Sequence, residues 1–126
     1  MEQGYLADTN AIIDYLEDLL PRDAAELLDK SKFQMSVVSR MELLAWPKAT
    51  PEQLTLLENF VAASNVFPLD EAIILKAIEI RKFDRLKLPD AIVAATAVVH
   101  NLKLITRNQS DFKKVASLQS LDPYLL

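Results

Sequence analysis

Short apolar runs and helical repeats alternate along the chain, and this alternation constrains the fold more than any other feature of the sequence. The apolar runs predict strands at residues 4–8, 33–38, 66–69, 103–106 and 118–121. Segments with helical signals separate successive runs. Parallel strands that are joined by helical crossovers produce this order. The sequence therefore predicts an α/β domain in which helices flank a mainly parallel sheet.

Capping residues and prolines mark several helix boundaries. Thr50 to Gln53 combines an N-cap, a first-turn proline and a capping-box glutamine, which predicts a helix start. Pro89 predicts the start of another helix, and residues 90–99 are apolar almost all round, so we expect this helix to be the most buried. Because the chain has one glycine, Asn101 is expected to end that helix in the left-handed conformation.

The composition excludes several classes of site. The 126 residues contain no cysteine, one histidine and one glycine. Disulfide frameworks, Cys/His zinc sites and cysteine nucleophiles are therefore excluded. Glycine-rich phosphate loops are excluded as well, because they need several glycines where backbone approaches phosphate. Any catalysis must come from carboxylates, hydroxyls, amides and bases, and we expect a metal ion as the cofactor.

The charge is distributed unevenly along the chain. Residues 1–70 carry a net charge of −7 and residues 71–126 a net charge of +3, within a total of −4. Arg81, Lys82 and Arg85 lie in the most basic stretch and are candidate contacts for a phosphate backbone. The alternative is that they form an ordinary solvated helix face.

Four acidic residues lie at predicted junctions between strands and helices. They are Asp8, Glu42, Asp90 and Asp111. Each could have a local capping role, and Ser39 with Glu42 reads as a capping box that opens a short helix. In a parallel sheet, however, such junctions gather at the carboxyl edge. Carboxylates that converge there need a compensating cation, and a hard ion such as Mg²⁺ or Mn²⁺ suits oxygen ligands. Such a site fits phosphodiester hydrolysis.

Two further titratable residues are expected to have ordinary roles. Asp14 lies on the first predicted helix and is expected to face solvent. The alternative is that it lies near the mouth of the cleft where the four carboxylates are expected to converge. His100 lies a full helix beyond Asp90, so we expect it at the opposite end of the sheet and outside the chemistry.

The sequence resembles the PIN-domain family, and within it the small VapC-type toxins of toxin-antitoxin pairs. Four blocks carry the resemblance in order: Leu6-Ala-Asp-Thr-Asn10, Ser36-x-x-Ser39-x-x-Glu42, Leu88-Pro-Asp-Ala-Ile-x-Ala-Ala-Thr-Ala97 and Leu104-Ile-Thr-Arg-Asn-x-x-Asp-Phe112. The resemblance implies that residues 1–126 form a single PIN-like domain with a three-layer α/β/α architecture.

The resemblance also implies the site residues. Asp8, Glu42, Asp90 and Asp111 would be the catalytic and metal-binding carboxylates. Their supporting neighbours would be Thr9, Ser39, Thr106 and Asn108, which orient carboxylates, waters or phosphate. Many relatives have a further aspartate where this chain has Asn108, so the number of Mg²⁺ or Mn²⁺ ions, one or two, stays open.

The implied function is a divalent-metal-dependent endoribonuclease that hydrolyses RNA phosphodiesters with a metal-activated water. Because water and not the ribose hydroxyl would attack, the products would carry 5'-phosphate and 3'-hydroxyl ends. The implied partners are an RNA substrate, a cognate antitoxin and a second copy of the chain in a homodimer. The longest apolar stretch is too short to cross a membrane and no targeting segment is visible, so we expect a cytoplasmic protein without a membrane partner.

Two alternatives belong to other functional classes. A PIN fold kept only for binding RNA or protein would be expected to lose carboxylates, whereas all four positions are filled here. A phosphoacceptor receiver domain needs an acidic pair after the first strand and a lysine near the last. In this chain Asp8 is single and Thr106 is followed by arginine, which disfavours the receiver hypothesis.

Overall fold

The structure is a computed structural model that describes residues 3–126. The predicted domain also includes residues 1 and 2, which lie outside the described residues. Strands and helices alternate in the following order: β1 (Tyr5–Ala7), α1 (Thr9–Leu16), α2 (Arg22–Lys30), β2 (Gln34–Ser36), α3 (Val37–Leu44), α4 (Pro51–Ala63), β3 (Asn65–Phe67), α5 (Glu71–Asp84), α6 (Leu88–Val99), β4 (Lys103–Ile105), α7 (Gln109–Phe112), β5 (Ser120–Leu121) and a 3-10 turn (Pro123–Leu125).

Every strand pair in the described residues is parallel. β1 pairs with β4, β4 pairs with β5, and β2 pairs with β3. The side chain of Gln34 links the two sheets, because its Nε2 donates to the carbonyl oxygen of Tyr5 at 3.1 Å. The strands therefore lie in the spatial order β3, β2, β1, β4, β5, which confirms the predicted parallel sheet.

Neighbouring residues of each strand point to opposite faces of the sheet, and helices cover both faces. Leu104 packs in a core with residues of α5 and α6, whereas Ile105 packs in a different core with residues of α1 and α2. Leu6 joins the first of these cores, and Ala7 packs with α3 and α4 in a third. These three cores confirm the three-layer α/β/α architecture.

Several helix boundaries confirm the capping predictions. Thr50 and Gln53 form a reciprocal capping box at the start of α4. The expected burial of α6 is also confirmed, since Ala91 and residues 93–97 are buried. Asn101 has a φ of 54°, the left-handed conformation in which a chain with little glycine can leave a helix.

The start of α3 differs from the prediction. β2 ends at Ser36, and the hydroxyl of Ser36 accepts a hydrogen bond from the Val38 amide at 3.1 Å. Ser36 therefore caps α3, and Ser39 lies inside the helix, where its side chain is buried. The prediction that Ser39 and Glu42 form a capping box is wrong, because both serines can cap a helix and the local pattern does not choose between them.

Within residues 3–126, no helix combines the length and the apolar character that crossing a membrane requires.

Candidate functional site

The four predicted carboxylates come from four different elements at the carboxyl edge of the sheet. Asp8 follows β1 and caps α1, and Glu42 projects from α3. Asp90 lies in the first turn of α6, and Asp111 lies in α7 after β4. We refer to these four residues as the acidic cluster.

Asp8 is the most buried member of the acidic cluster, with 8% of its surface exposed. Its Oδ1 accepts a hydrogen bond from the Thr9 amide at 2.9 Å, and its Oδ2 accepts one from Thr106 Oγ1 at 2.8 Å. Burial raises the pKa of Asp8; these hydrogen bonds oppose the rise, and repulsion from Asp90 and Glu42 adds to it. The ionised form is therefore costly in the free protein.

Glu42 is joined to the Asp8 loop through Thr9. The hydroxyl of Thr9 lies 2.6 Å from Glu42 Oε1, to which it donates, and 3.0 Å from Ser39 Oγ. Since Thr9 is the first residue of α1 and Ser39 lies in α3, this contact fixes the distance between two helices. Thr9 and Ser39 thus have the orienting positions that the sequence predicts, although their functional roles remain predictions.

Asp90 and Asp111 complete the cluster. Asp90 is half-buried, and its pKa is raised first by burial and then by repulsion from Asp111 and Glu42, against the attraction of Lys87. Asp111 accepts a hydrogen bond from Asn108 Nδ2 at 3.0 Å. The repulsion links Asp90 to Asp8, Glu42 and Asp111, so the structure brings the four predicted carboxylates into one electrostatic group.

Asn10 belongs to the site, although the sequence analysis assigned it no role. Its Nδ2 donates to Asp8 Oδ2 and to Thr106 Oγ1, both at 3.2 Å, and its Oδ1 accepts from the Arg107 amide at 3.1 Å. Asn108 donates its own amide to Thr106 Oγ1 at 3.0 Å. The position of Asn10 in the first family block, two residues after Asp8, is the sequence feature that could have indicated a place in the site.

A second group of polar residues lies beside the acidic cluster. Asp14 on α1 is 4% exposed, so the prediction that it faces solvent is wrong. Its Oδ2 lies 3.1 Å from Arg107 Nε and accepts a hydrogen bond from the Tyr124 hydroxyl at 2.8 Å. These partners are far away in sequence, so no local pattern could have shown the burial. We call Asp14, Arg107 and Tyr124 the paired cluster.

The predicted basic contacts lie outside both clusters. Arg81 and Lys82 are exposed in the last turn of α5, and Arg85 ends that helix with a φ of 60°. Within residues 3–126, no hydrogen bond or ion pair joins these three side chains to the acidic cluster. His100 follows α6 and stacks on Phe67, with 4.2 Å between the ring centroids, away from the carboxylates as expected.

The chemistry of the acidic cluster fits a hard divalent cation. Its donors are all carboxylate oxygens, and burial followed by mutual repulsion raises the pKa values of Asp8 and Asp90. Among the residues that the structure describes, no three acidic or histidine side chains form a ready-made metal site. One or two carboxylates with several waters is nevertheless the usual coordination of Mg²⁺. The residues thus suit Mg²⁺ or Mn²⁺.

Comparison with known proteins gives concordant results. The family model of the PIN domain matches residues 5–118. A chain of a toxin-antitoxin complex from Klebsiella pneumoniae is 31% identical and aligns over 96% of this chain and 98% of its own length, with a TM-score of 0.78. VapBC-1 from nontypeable Haemophilus influenzae gives 25% identity, coverage of 94% and 96%, and a TM-score of 0.80.

A more distant structure supports the fold alone. FitAcB from Neisseria gonorrhoeae is 22% identical, with coverage of 97% of this chain and 99% of that chain and a TM-score of 0.77. A comparison with curated proteins finds no significant match. The family match and the structural neighbours both cover nearly the whole chain.

Proposed function

The chain belongs to the PIN domain family, and from this premise we propose that it is a divalent-metal-dependent endoribonuclease, the toxin of a VapBC-type toxin-antitoxin pair. We also propose that residues 1–126 form a single PIN-like domain and that the protein acts in the cytoplasm. The alternative, a PIN fold that only binds RNA or protein, predicts the same architecture and differs in the absence of cleavage.

The observation that carries the proposal is the mutual repulsion within the acidic cluster. Asp8 is almost completely buried, which raises its pKa, and repulsion from Asp90 and Glu42 raises that pKa further. A fold gains nothing in stability from such an arrangement. A site that binds a divalent cation gains affinity from it, because the cation is attracted by the same charges that repel one another.

The proposed metal site consists of Asp8, Glu42, Asp90 and Asp111, which would hold Mg²⁺ or Mn²⁺. A bound cation supplies positive charge to the phosphoryl oxygens of the substrate and lowers the pKa of water. Asn108 contributes an amide that donates to Asp111, so the proposed site offers four carboxylates for one or two ions.

The neighbouring side chains keep the carboxylates in place. Thr106 donates to Asp8, Thr9 donates to Glu42, and Asn108 donates to Asp111. These neutral donors orient the oxygens without cancelling their charge, which is what a cation site requires. No hydrogen bond fixes Asp90 within residues 3–126, so both of its oxygens remain available to a ligand.

The relatives support the proposed antitoxin partner. The similar structures from Klebsiella pneumoniae and Haemophilus influenzae are a toxin-antitoxin complex and VapBC-1. We propose that this chain likewise binds a cognate antitoxin and that it forms a homodimer. Leu75 and Ile78 on α5 are more than half exposed and would be covered in such an assembly.

The test is a cleavage assay on a mixed pool of tRNA and mRNA with EDTA, Mg²⁺ or Mn²⁺. We expect discrete metal-dependent cuts with 5'-phosphate and 3'-hydroxyl ends, and no cuts by Asp8→Asn or Asp90→Asn. Asp23→Asn is the matched control, because Asp23 is an exposed carboxylate on α2. Cyclic phosphate ends, or cuts that persist in both site variants, would contradict the proposal.

A further inference from the structure

Asp14 is a buried charge that the proposed reaction does not use. It lies on α1 four residues after Asn10, so the two side chains share one face of the helix about 6 Å apart along its axis. The carboxylate of Asp14 contacts two groups, Arg107 Nε at 3.1 Å and the Tyr124 hydroxyl at 2.8 Å. Two side chains from the C-terminal part of the chain therefore contact the same oxygen, Asp14 Oδ2.

Arg107 contacts two residues that lie one turn apart on this face of α1, Asn10 and Asp14. Its backbone amide donates to Asn10 Oδ1 at 3.1 Å, and its side chain reaches Asp14. Asn10 in turn donates to Asp8 at 3.2 Å. The guanidinium group is therefore held about one helical turn from the side chain that contacts the acidic cluster.

The orientation of Arg107 leaves part of its guanidinium group open. The contact with Asp14 uses Nε, and 53% of the Arg107 side chain is exposed although its partner is buried. A guanidinium group presents a planar set of donors that matches the oxygens of a phosphate. Contacts that hold this group in place reduce the entropy that it loses when it binds a ligand.

We propose that Arg107, oriented by Asp14, which also accepts a hydrogen bond from Tyr124, binds a phosphate of the RNA strand next to the one that lies at the acidic cluster. This inference rests on the proposed nuclease function and adds a specific substrate contact to it. The positive charge of Arg107 would offset the repulsion between the carboxylates of the acidic cluster and the phosphates of the RNA backbone.

The other nearby cations are less suited to this task. Lys114 Nζ lies 3.8 Å from Asp111, and Lys87 attracts Asp90, so both ammonium groups already balance cluster carboxylates. Arg81, Lys82 and Arg85 are exposed, and no ion pair orients them within the described residues. Arg107 combines an exposed guanidinium group with a buried anchor, which is why we assign the contact to it.

The experiment measures RNA binding by Asp90→Asn, in which we expect cleavage to be blocked. A fluorescein-labelled single-stranded RNA of mixed sequence is titrated in Mg²⁺ at several salt concentrations, and Arg107→Ala and Arg107→Lys are added separately to this background. Arg22→Ala is the control, because Arg22 is an exposed arginine on α2 whose partner among residues 3–126 is its helix neighbour Glu26. Thermal melting is recorded for every variant.

We expect Arg107→Ala to weaken binding about tenfold and to reduce the slope of log affinity against log salt by about 0.7, the loss of one phosphate contact on a single strand. Arg107→Lys keeps the charge but not the planar donors, so binding should weaken about threefold with an unchanged slope. Arg22→Ala should change neither quantity. A purely structural role of Arg107 would lower the melting temperature and leave the slope unchanged.

A second arm locates the phosphate. RNAs that each carry one uncharged methylphosphonate linkage are compared, and one linkage should reduce affinity for the Asp90→Asn protein about as much as Arg107→Ala does. The same linkage should cost nothing further when Arg107 is already alanine. If every linkage costs the same in both proteins, the inference is wrong.

The outcomes separate the inference from the proposed function. If the wild-type protein cleaves RNA and the salt slope is the same with and without Arg107, the inference alone is overturned. If the wild-type protein neither binds nor cleaves RNA, the proposed function and the inference fall together. Tyr124→Phe keeps Arg107 and Asp14 while it removes one anchor, and it should weaken binding less than Arg107→Lys does.

Discussion

Helix α1 carries two buried carboxylates that differ in how their charge is balanced. Asp8 at the N-cap of the helix accepts hydrogen bonds from neutral donors, and its pKa is raised by burial and by repulsion from Asp90 and Glu42. Asp14, less than two turns later, is paired with Arg107 and receives the Tyr124 hydroxyl. Burial alone therefore does not distinguish a carboxylate in a balanced pair from one that we propose binds a metal ion.

The difference has a thermodynamic meaning. Removing a partner from a balanced buried pair leaves a charge without compensation, which destabilises the fold. Removing a charge from a crowded acidic cluster relieves repulsion, so the fold loses little and can become more stable. We therefore expect substitutions in the acidic cluster to affect activity and substitutions in the paired cluster to affect stability.

The largest expected effect is on cleavage. Asp8→Asn keeps the size of the side chain and removes its charge, and the cleavage rate should fall about 1000-fold, equivalent to about 4 kcal/mol in the activation free energy. Asp14→Asn should reduce the rate no more than about tenfold, because its carboxylate acts through the position of Arg107. Single-turnover cleavage of one RNA by both variants makes the measurement.

Melting curves provide the control for this first prediction. Asp8→Asn should melt within a few degrees of the wild type, so that lost activity cannot be ascribed to unfolding. Equal rate losses in the two aspartate variants would remove the distinction between the clusters.

The next effect is on stability. Asp14→Ala leaves Arg107 and Tyr124 without their shared acceptor, and the free energy of unfolding should fall by about 2–3 kcal/mol. Urea denaturation of Asp14→Ala and of the control Asp23→Asn measures it. A loss below about 0.5 kcal/mol would show that solvent around Arg107 replaces the pair, and the paired cluster would then have no structural importance.

A smaller effect concerns the basic residues at the end of α5. If the candidate contacts Arg81, Lys82 and Arg85 meet RNA, replacing all three by alanine should weaken binding by Asp90→Asn about tenfold and reduce the salt slope by about 2. The structure leaves these side chains exposed, so the melting temperature should not change. An unchanged slope would indicate that they form an ordinary solvated face and that Arg107 carries the backbone contact.

Much of the fold follows from local sequence patterns. The capping box at Thr50 and the left-handed Asn101 are decided by residues within a few positions, and both are present in the structure. Asp8 is likewise the N-cap of α1 that the sequence allowed. The parallel sheet follows from the alternation of strands and helices, which is a property of the whole chain.

The features that the sequence did not predict depend on distant contacts. Asp14 has the spacing of a surface residue, and its partners Arg107 and Tyr124 are 93 and 110 positions away. Ser36 and Ser39 are equally good caps in isolation, and the helix begins after Ser36 because the strand ends there. Gathering of the acidic cluster was predicted from topology, whereas the catalytic role of its members remains a prediction.

The smallest expected effect is the dependence of stability on pH. The pKa of Asp90 is raised in the folded protein, first by burial and then by repulsion from Asp111 and Glu42. Folding therefore favours the protonated carboxyl group. Its contribution to stability is fully present below the ordinary pKa near 3.8 and is lost as the pH rises through the higher pKa of the folded state.

Asp90→Asn removes this titration and keeps a neutral side chain of similar shape. The free energy of unfolding of the variant should exceed that of the wild type at neutral pH, and the difference should disappear as the pH falls through the folded-state pKa of Asp90. Because Asp90 is only half-buried, solvent screening limits the gain to about 1 kcal/mol. Urea denaturation between pH 4 and pH 8 measures the difference between the two proteins.

Saturating Mg²⁺ should reduce this difference in the free energy of unfolding, or change its sign, at neutral pH, because the wild-type site then binds the cation more tightly than the variant does. A neutral-pH difference that Mg²⁺ leaves unchanged would contradict the proposal that Asp90 binds the cation.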